Sequence, residues 1–252
     1  MKAINYCDIV SAVEKLTFAC SSVTPSCANA MKCALEKESD ENAKFALDTL
    51  IKNAEIAKEK GLPVCQDTGM AVFFVKLGQD VHIDGGLLVD AINQGVRQGY
   101  AKFGYRASVL DPITRINTKD NTPAIIHVDV VKGENLEISF LPKGFGSENM
   151  SRLYMLTPSS GLEGVKDCIV DAVKKVGSNP CPPIVVGVGI GGTAEIAMKI
   201  AKEQLLREVG KESDDDTLAN MEKELLERID PEYVTLEFIS TSHEEHKGML
   251  KE

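Results

Sequence analysis

Four side chains capable of chemistry stand in a row at Cys65, Gln66, Asp67 and Thr68, within GLPVCQDTGMAVFF. A thiol can ligate a metal, an amide can orient a polar substrate, a carboxylate can accept a proton, and a hydroxyl can fix the turn that carries them. A second cysteine, Cys181, is set among prolines in SNPCPPIVVG. Proline fixes its own backbone dihedral and disfavours helix at the residue before it. Both cysteines are therefore expected on stiff, non-helical turns at the edge of a strand, where sulfur points in a fixed direction. Taken singly, either one reads better as a thiol packed under a loop.

The other five cysteines are Cys7, Cys20, Cys27, Cys33 and Cys168. Seven is an odd number, and MKAINYCDIVSAVEKL lacks the unbroken apolar run of an export signal or a membrane span. Free thiols are expected rather than a disulfide framework. The first four fall in a helical region and read as small buried hydrophobes, and Cys168 reads as core within a helix. No pair has C-x-x-C spacing, so a zinc knuckle or thioredoxin-type motif is disfavoured and any metal site must draw on distant parts of the chain.

Gly187, Gly189 and Gly192 fit G-x-G-x-x-G between a strand and a helix, as in a dinucleotide-binding fingerprint. Such a fold needs a further parallel strand ending in an acidic residue, and GKESDDDTLAN after the helix contains no apolar strand. A nucleotide-binding oxidoreductase is thus a minor alternative. The glycines equally permit close helix-to-strand packing, and an anion could sit at the helix N-terminus near Thr193.

The elements that must position these residues follow from periodicity. INYCDIVSAVEKL and ENAKFALDTLIKNAEIAKEKG have helical spacing, the second ending in lysines and Gly61 as a C-cap. AVFFVKLG predicts a buried strand and GGLLVDAINQGVRQGYAKFG a helix. PAIIHVDVVKGENLEISFLPKG predicts a hairpin turning at Lys132–Asn135. SRLYMLTP predicts a strand, GLEGVKDCIVDAVKKVG a helix, CPPIVVGVGIGG a buried strand, and TAEIAMKIAKEQLLREVG and LANMEKELLERI two more helices. KESDDD reads as an exposed linker or N-cap region, and the tail from residue 230 shows no clear plan. The class is α+β: a helical N-terminal region followed by α/β layers with small sheets.

At 252 residues with 43% hydrophobic content, the chain can bury an ordinary core. A formal charge of -10 with no basic cluster argues against nucleic-acid or anionic-membrane partners. A cytoplasmic protein is expected.

GLPVCQDTG, GYRASVLDPITRINTKDNTPAIIH, LPKGFGSENMSRLYMLTPSSG and NPCPPIVVGVGIGGTAEIAMKIAKEQLLR, in that order, resemble the alpha subunits of the class I, iron-sulfur-dependent fumarate hydratases and their tartrate dehydratase relatives. The resemblance covers residues 1–229, a catalytic domain of that type, and leaves 230–252 as an atypical tail. It implies a hydro-lyase that converts fumarate to malate together with a beta subunit, as a dimer of alpha chains within a heterotetramer. It also implies a 4Fe-4S cluster on three thiolates, with one open iron acting as a Lewis acid. Cys65 and Cys181 match cluster ligands. Gln66 and Asp67 match substrate-contacting residues, Asp67 being the catalytic candidate, Arg106 matches the arginine that pairs with a substrate carboxylate, and Gly146 matches a backbone contact. Phe145 stands where the family more often has glycine. Arg115, Asn117, Asp120 and Asn121 could serve the site or fix a turn, and the turn is the expectation.

The resemblance stops near Ile229. The family's glycine-rich loop, active-site histidine and third cysteine have no counterpart in DPEYVTLEFISTSHEEHKGMLKE. His243 and His246 lack the zinc-protease spacing and read as solvated tail residues. Another cysteine could substitute, a partner chain could supply the third ligand, or the chain could be truncated at its end; the last is the expectation, and it gives the alternative function, a catalytically inactive remnant that binds a partner subunit.

Overall fold

The computed structural model describes residues 1–229 and the backbone of 239–243. In chain order the elements are β1 (Lys2–Asn5), α1 (Tyr6–Leu16), α2 (Pro25–Lys37), α3 (Glu41–Lys60), β2 (Met70–Gly78), β3 (Val81–Asp84), α4 (Leu88–Lys102), β4 (Ile125–Val131), β5 (Leu136–Lys143), α5 (Phe145–Glu148), α6 (Gly161–Val176), β6 (Val186–Ile190), α7 (Ala194–Glu203), α8 (Asp216–Arg228) and β7 (Ile239–His243). The class is α+β, as expected. The chain divides into two compact units, one of residues 1–23 and 48–145, the other of 24–47 and 146–252. Among the described residues no helix is long and apolar enough to cross a membrane.

In the first unit, α1 starts where the Asn5 side chain accepts the Cys7 N–H at 2.8 Å. Its buried stripe, Ile9, Val10 and Val13, has helical spacing and faces α4, whose buried stripe runs Ala91, Ile92, Val96 and Tyr100. The helices meet at Gly95, where an added Cβ would lie 2.6 Å from Val13 Cβ and 2.8 Å from Val10 O. Both helices close over Ala71, Phe73 and Val75 of β2.

The predicted hairpin does not form. The three-stranded sheet has the order β4-β2-β5, with β2 parallel to β4 and antiparallel to β5. Residues Ala71–Val75 are all buried, so β2 takes the centre and displaces the direct β4-β5 pairing that a local pattern suggests. The link Lys132–Asn135 crosses the end of β2, where Gly78 N donates to Asn135 O (2.8 Å) and Asp80 N to Gly133 O (3.0 Å). Gly78 permits the crossing, since a Cβ there would lie 2.4 Å from Gly133 O. A parallel β1-β3 pair, Lys2↔Val81 to Asn5↔Asp84, adds a small sheet too short to announce itself by periodicity.

In the second unit, α6 and α8 bury Ile169, Val173, Leu218, Met221 and Leu225, with Val186 and Val188 of β6 packed against them. Asp215 caps α8 by accepting the N–H groups of Thr217 and Leu218, which places KESDDD as the expected cap region. β6 pairs in parallel with β7, so part of the tail is a strand that the sequence did not reveal. His246 lies outside the described residues, as does the side chain of His243. SRLYMLTP, predicted as a strand, forms none: residues 151–157 take no regular structure and Pro158 opens a short 3-10 helix. Its apolar side chains Leu153, Tyr154, Met155 and Leu156 are exposed, and no described strand pairs with it.

Cys7 and Cys33 are exposed rather than buried, because the inward faces of their helices belong to Ile9, Val10 and Val13 in one case and to Met31 in the other. Cys20 is buried, and Cys27 and Cys168 are half-buried.

Two outcomes follow. Gly95→Ala gains about 1 kcal/mol of helix propensity but overpacks against Val13 and the Val10 carbonyl, so urea denaturation should show a net loss of about 1–2 kcal/mol. In the second unit, Lys166 and Arg228 bond to Glu163 and hold its carboxyl down to about 2, against an ordinary glutamate value of 4.5. A depressed folded-state pKa stabilises above the unfolded value and fades as pH falls through the folded one. Glu163→Gln should therefore melt below the wild type at neutral pH, and the gap should close between pH 4.5 and about 2.

Candidate active site

The turn carrying Cys65 begins where α3 ends at Gly61, whose φ of 64° only glycine adopts readily. Val64 N donates to Cys20 O (2.9 Å) and Asn53 Nδ2 donates to Val64 O (2.8 Å). These bonds fix the turn and leave Cys65 and Gln66 exposed. Thr68 and Gly69 then enter the interior. Thr68 Oγ1 donates to Arg106 O (2.9 Å), while Thr68 O accepts the Tyr100 hydroxyl (3.1 Å). Gly69 has φ 69°, and a Cβ on it would lie 2.3 Å from the Lys143 carbonyl.

Three loops meet at this end of β2 because of the strand directions. β4 runs parallel, so the segment before it arrives here, and β5 runs antiparallel, so the segment after it does too. Asp67, half-buried, joins them. Its Oδ1 accepts Gly69 N (3.0 Å) and the Ser108 hydroxyl (3.4 Å), and its Oδ2 accepts Phe145 N (2.8 Å). An ionised carboxylate offers about four acceptor sites, so three donors among the described residues leave one open.

The segment between α4 and β4 presents Arg106, which is exposed and has no ion pair among the described residues. Asn121 is fully buried, donating Nδ2 to Gly69 O (3.1 Å) and accepting Ser108 N (2.7 Å). Asn117 donates to Ala107 O (2.8 Å), and Asp120 pairs with Arg97 (2.8 Å) and takes the Thr122 N–H. These three fix the loop, as expected of them. Arg115 has an exposed side chain on a backbone of φ 62°.

In the second unit, Cys181 is exposed at φ 63°, its N–H donating to Ser178 O (3.1 Å). Gly146 is exposed, and a Cβ there would meet only Asn179 O at 3.9 Å. Gly187 and Gly189 bring α7 onto β6, because their Cβ atoms would lie 2.1 Å from Ala201 O and Ala197 O. The glycine turn is thus explained by packing. At the start of α7, interaction with its own backbone and with the Thr193 hydroxyl holds the Glu195 carboxyl below its ordinary value, which suits an acidic residue in the first turn of a helix.

Sequence reasoning missed Tyr100 and Ser108. Tyr100 looks like one more apolar position of α4, and only Gly99 and Tyr105 beside it hint that the helix ends against something. Together with Cys20, whose Sγ lies 3.8 Å from the Tyr100 hydroxyl, it forms a buried floor under the turn. Burial pushes the Cys20 thiol up to about 11.

Cys65 and Cys181 are both exposed on non-helical turns. No cysteine follows Cys181, and no group of three potential metal ligands occurs among the described residues.

Comparison with known proteins adds independent information. The family model described as fumarate hydratase (fumerase) matches residues 10–231. A relative from Methanocaldococcus jannaschii, named "Putative L(+)-tartrate dehydratase subunit alpha", is 44% identical over 207 residues, which is 80% of this chain and 73% of the relative. The L(+)-tartrate dehydratase subunit alpha of Escherichia coli strain UTI89 is 30% identical over 201 residues, 78% of this chain and 66% of that protein.

Thiol burial gives a direct check on this geometry. Brief maleimide treatment of the native protein, read by peptide mass spectrometry, should label Cys65 and Cys181 at least tenfold faster than Cys20. Denaturant should abolish the difference, whereas equal labelling without denaturant would mean that the floor under the turn is open.

Proposed function

This chain belongs to the fumarate hydratase (fumerase) family, and on that premise we propose that it is the alpha-type subunit of a cytoplasmic hydro-lyase. Working with a beta-type subunit, it reversibly adds water to an unsaturated four-carbon dicarboxylate. The observation that carries this reading is the bond from Thr68 Oγ1 to Arg106 O. It ties the turn bearing Cys65, Gln66 and Asp67 to an exposed guanidinium that has no protein partner among the described residues.

A guanidinium fork is suited to a carboxylate, and two parallel N–H···O bonds fix both position and orientation. Arg106 anchors one end of the substrate. The exposed Gln66 amide orients its hydroxyl or second carboxylate, and the remaining acceptor site of Asp67 receives or returns the proton. Gly146 gives a backbone contact, as its counterpart does in the resemblance. The iron-sulfur cluster that the family membership suggests would take Cys65 and Cys181 as ligands, with a third donor supplied by another cysteine or by a partner chain. Fumarate, converted to malate, is the substrate that the family description favours, whereas the relatives' names favour tartrate. Two alpha and two beta chains form the assembly in this proposal.

Co-production with a beta-type subunit, followed by anaerobic treatment with iron and sulfide, should give turnover of fumarate or tartrate. Arg106→Ala should lower kcat/KM by about 10- to 100-fold, chiefly through KM. A stable complex that turns over neither dicarboxylate would replace this proposal with the non-catalytic, partner-binding reading.

A further inference from the structure

We infer that Asn121 is a positioning residue, whose side-chain amide sets the Arg106 segment in register with the Gln66–Asp67 turn. The inference rests on the proposed role of Arg106. Asn121 is 0% exposed, so its amide must find its partners inside the protein. It finds one on each segment: Nδ2 donates to Gly69 O at 3.1 Å, and Oδ1 accepts Ser108 N at 2.7 Å. Gly69 lies two residues after Asp67, and Ser108 lies two residues after Arg106. The amide therefore spans the two parts of the site with one rigid plane.

The backbone of Asn121 itself is held at φ 59°, a conformation that asparagine tolerates better than most residues. Its neighbours secure it from both sides, Asp120 through Arg97 (2.8 Å) and Thr122 through its N–H to Asp120 (3.0 Å). A second tie runs in parallel, from Thr68 Oγ1 to Arg106 O, and Ser108 also reaches Asp67 directly. Asn121 stands behind this lattice and is hydrogen-bonded to neither the Arg106 guanidinium nor the exposed Gln66 amide. Its effect on substrate runs through the spacing of the two segments, which governs whether fork and amide can engage one dicarboxylate together.

The discriminating substitution is Asn121→Asp. It preserves shape and keeps the acceptor for Ser108 N, but its carboxylate replaces the donor that meets Gly69 O. Asn121→Gly, which suits the positive φ and removes both bonds, is the second variant should the first fail to fold. Asp111→Ala serves as the control, since it removes the bonds from the Ile113 and Thr114 N–H groups in the same segment without touching Asn121, Gly69 or Ser108. Two measurements on the complex with the beta-type subunit decide the matter. Amide hydrogen exchange should quicken together in residues 65–69 and 106–108 of the Asn121 variants, but not in the control. The KM for the dicarboxylate should rise about tenfold in Asn121→Asp while kcat changes by less than about threefold.

Exchange that quickens in one segment alone, or an unchanged KM in an active complex, would overturn the inference. A wild-type complex without turnover would remove the proposed function, and the exchange comparison would still decide whether Asn121 couples the two segments.

Discussion

The candidate site depends on β2 being paired along both edges. A strand that buries Ala71 through Val75 needs cover on every side, and the β4-β2-β5 order provides it. Strand direction then does the rest. One neighbour begins where β2 begins, the other ends there, and the QDTG turn is the lead-in to β2 itself. Three segments distant in sequence are thereby delivered to one end of one strand. Had β4 and β5 paired directly, β2 would have kept only one neighbour and lost one of the edges on which this convergence rests.

Convergence alone leaves loops loose, and polar side chains do the fastening. Asp67, Thr68 and Asn121 all form hydrogen bonds with main-chain groups of other segments, while Asn117 ties its own segment together through Ala107 O. Each such bond contributes only about 1 kcal/mol net, yet leaving a buried partner unpaired costs about 1–3 kcal/mol. That asymmetry makes the lattice specific rather than merely stable: alternative loop arrangements would strand several buried carbonyls at once. The exposed groups, Cys65, Gln66 and Arg106, stand on this framework and contribute little to it.

How much of this the sequence discloses depends on the range of the interaction. Helical periodicity located α1, α3, α4, α6, α7 and α8, and prolines located the exposed turns at Cys65 and Cys181, because these signals are local. The hairpin reading went astray because β-rich arms around a glycine turn look the same whether or not a third strand slips between them. SRLYMLTP has strand-like residues but no partner among the described residues, and pattern alone does not reveal partnership. Cys7 and Cys33 were misplaced by treating residue type as burial, when the helix face decides. Tyr100 and Ser108 went unnoticed because their partners lie 32 and 41 positions away. The hydro-lyase family itself was legible in the ordered run of motifs, which the family match over residues 10–231 supports.

Gly69 has a consequence for how such a site can diversify. Its left-handed backbone and the Lys143 carbonyl against it bar any side chain, so this point offers no gradual route of variation. Chemical novelty must be sought in the solvent-facing positions around it, where replacing one residue disturbs no main-chain packing. A fixed point beneath exposed positions such as Gln66 lets a lineage change what it recognises while the strand beneath stays as it was.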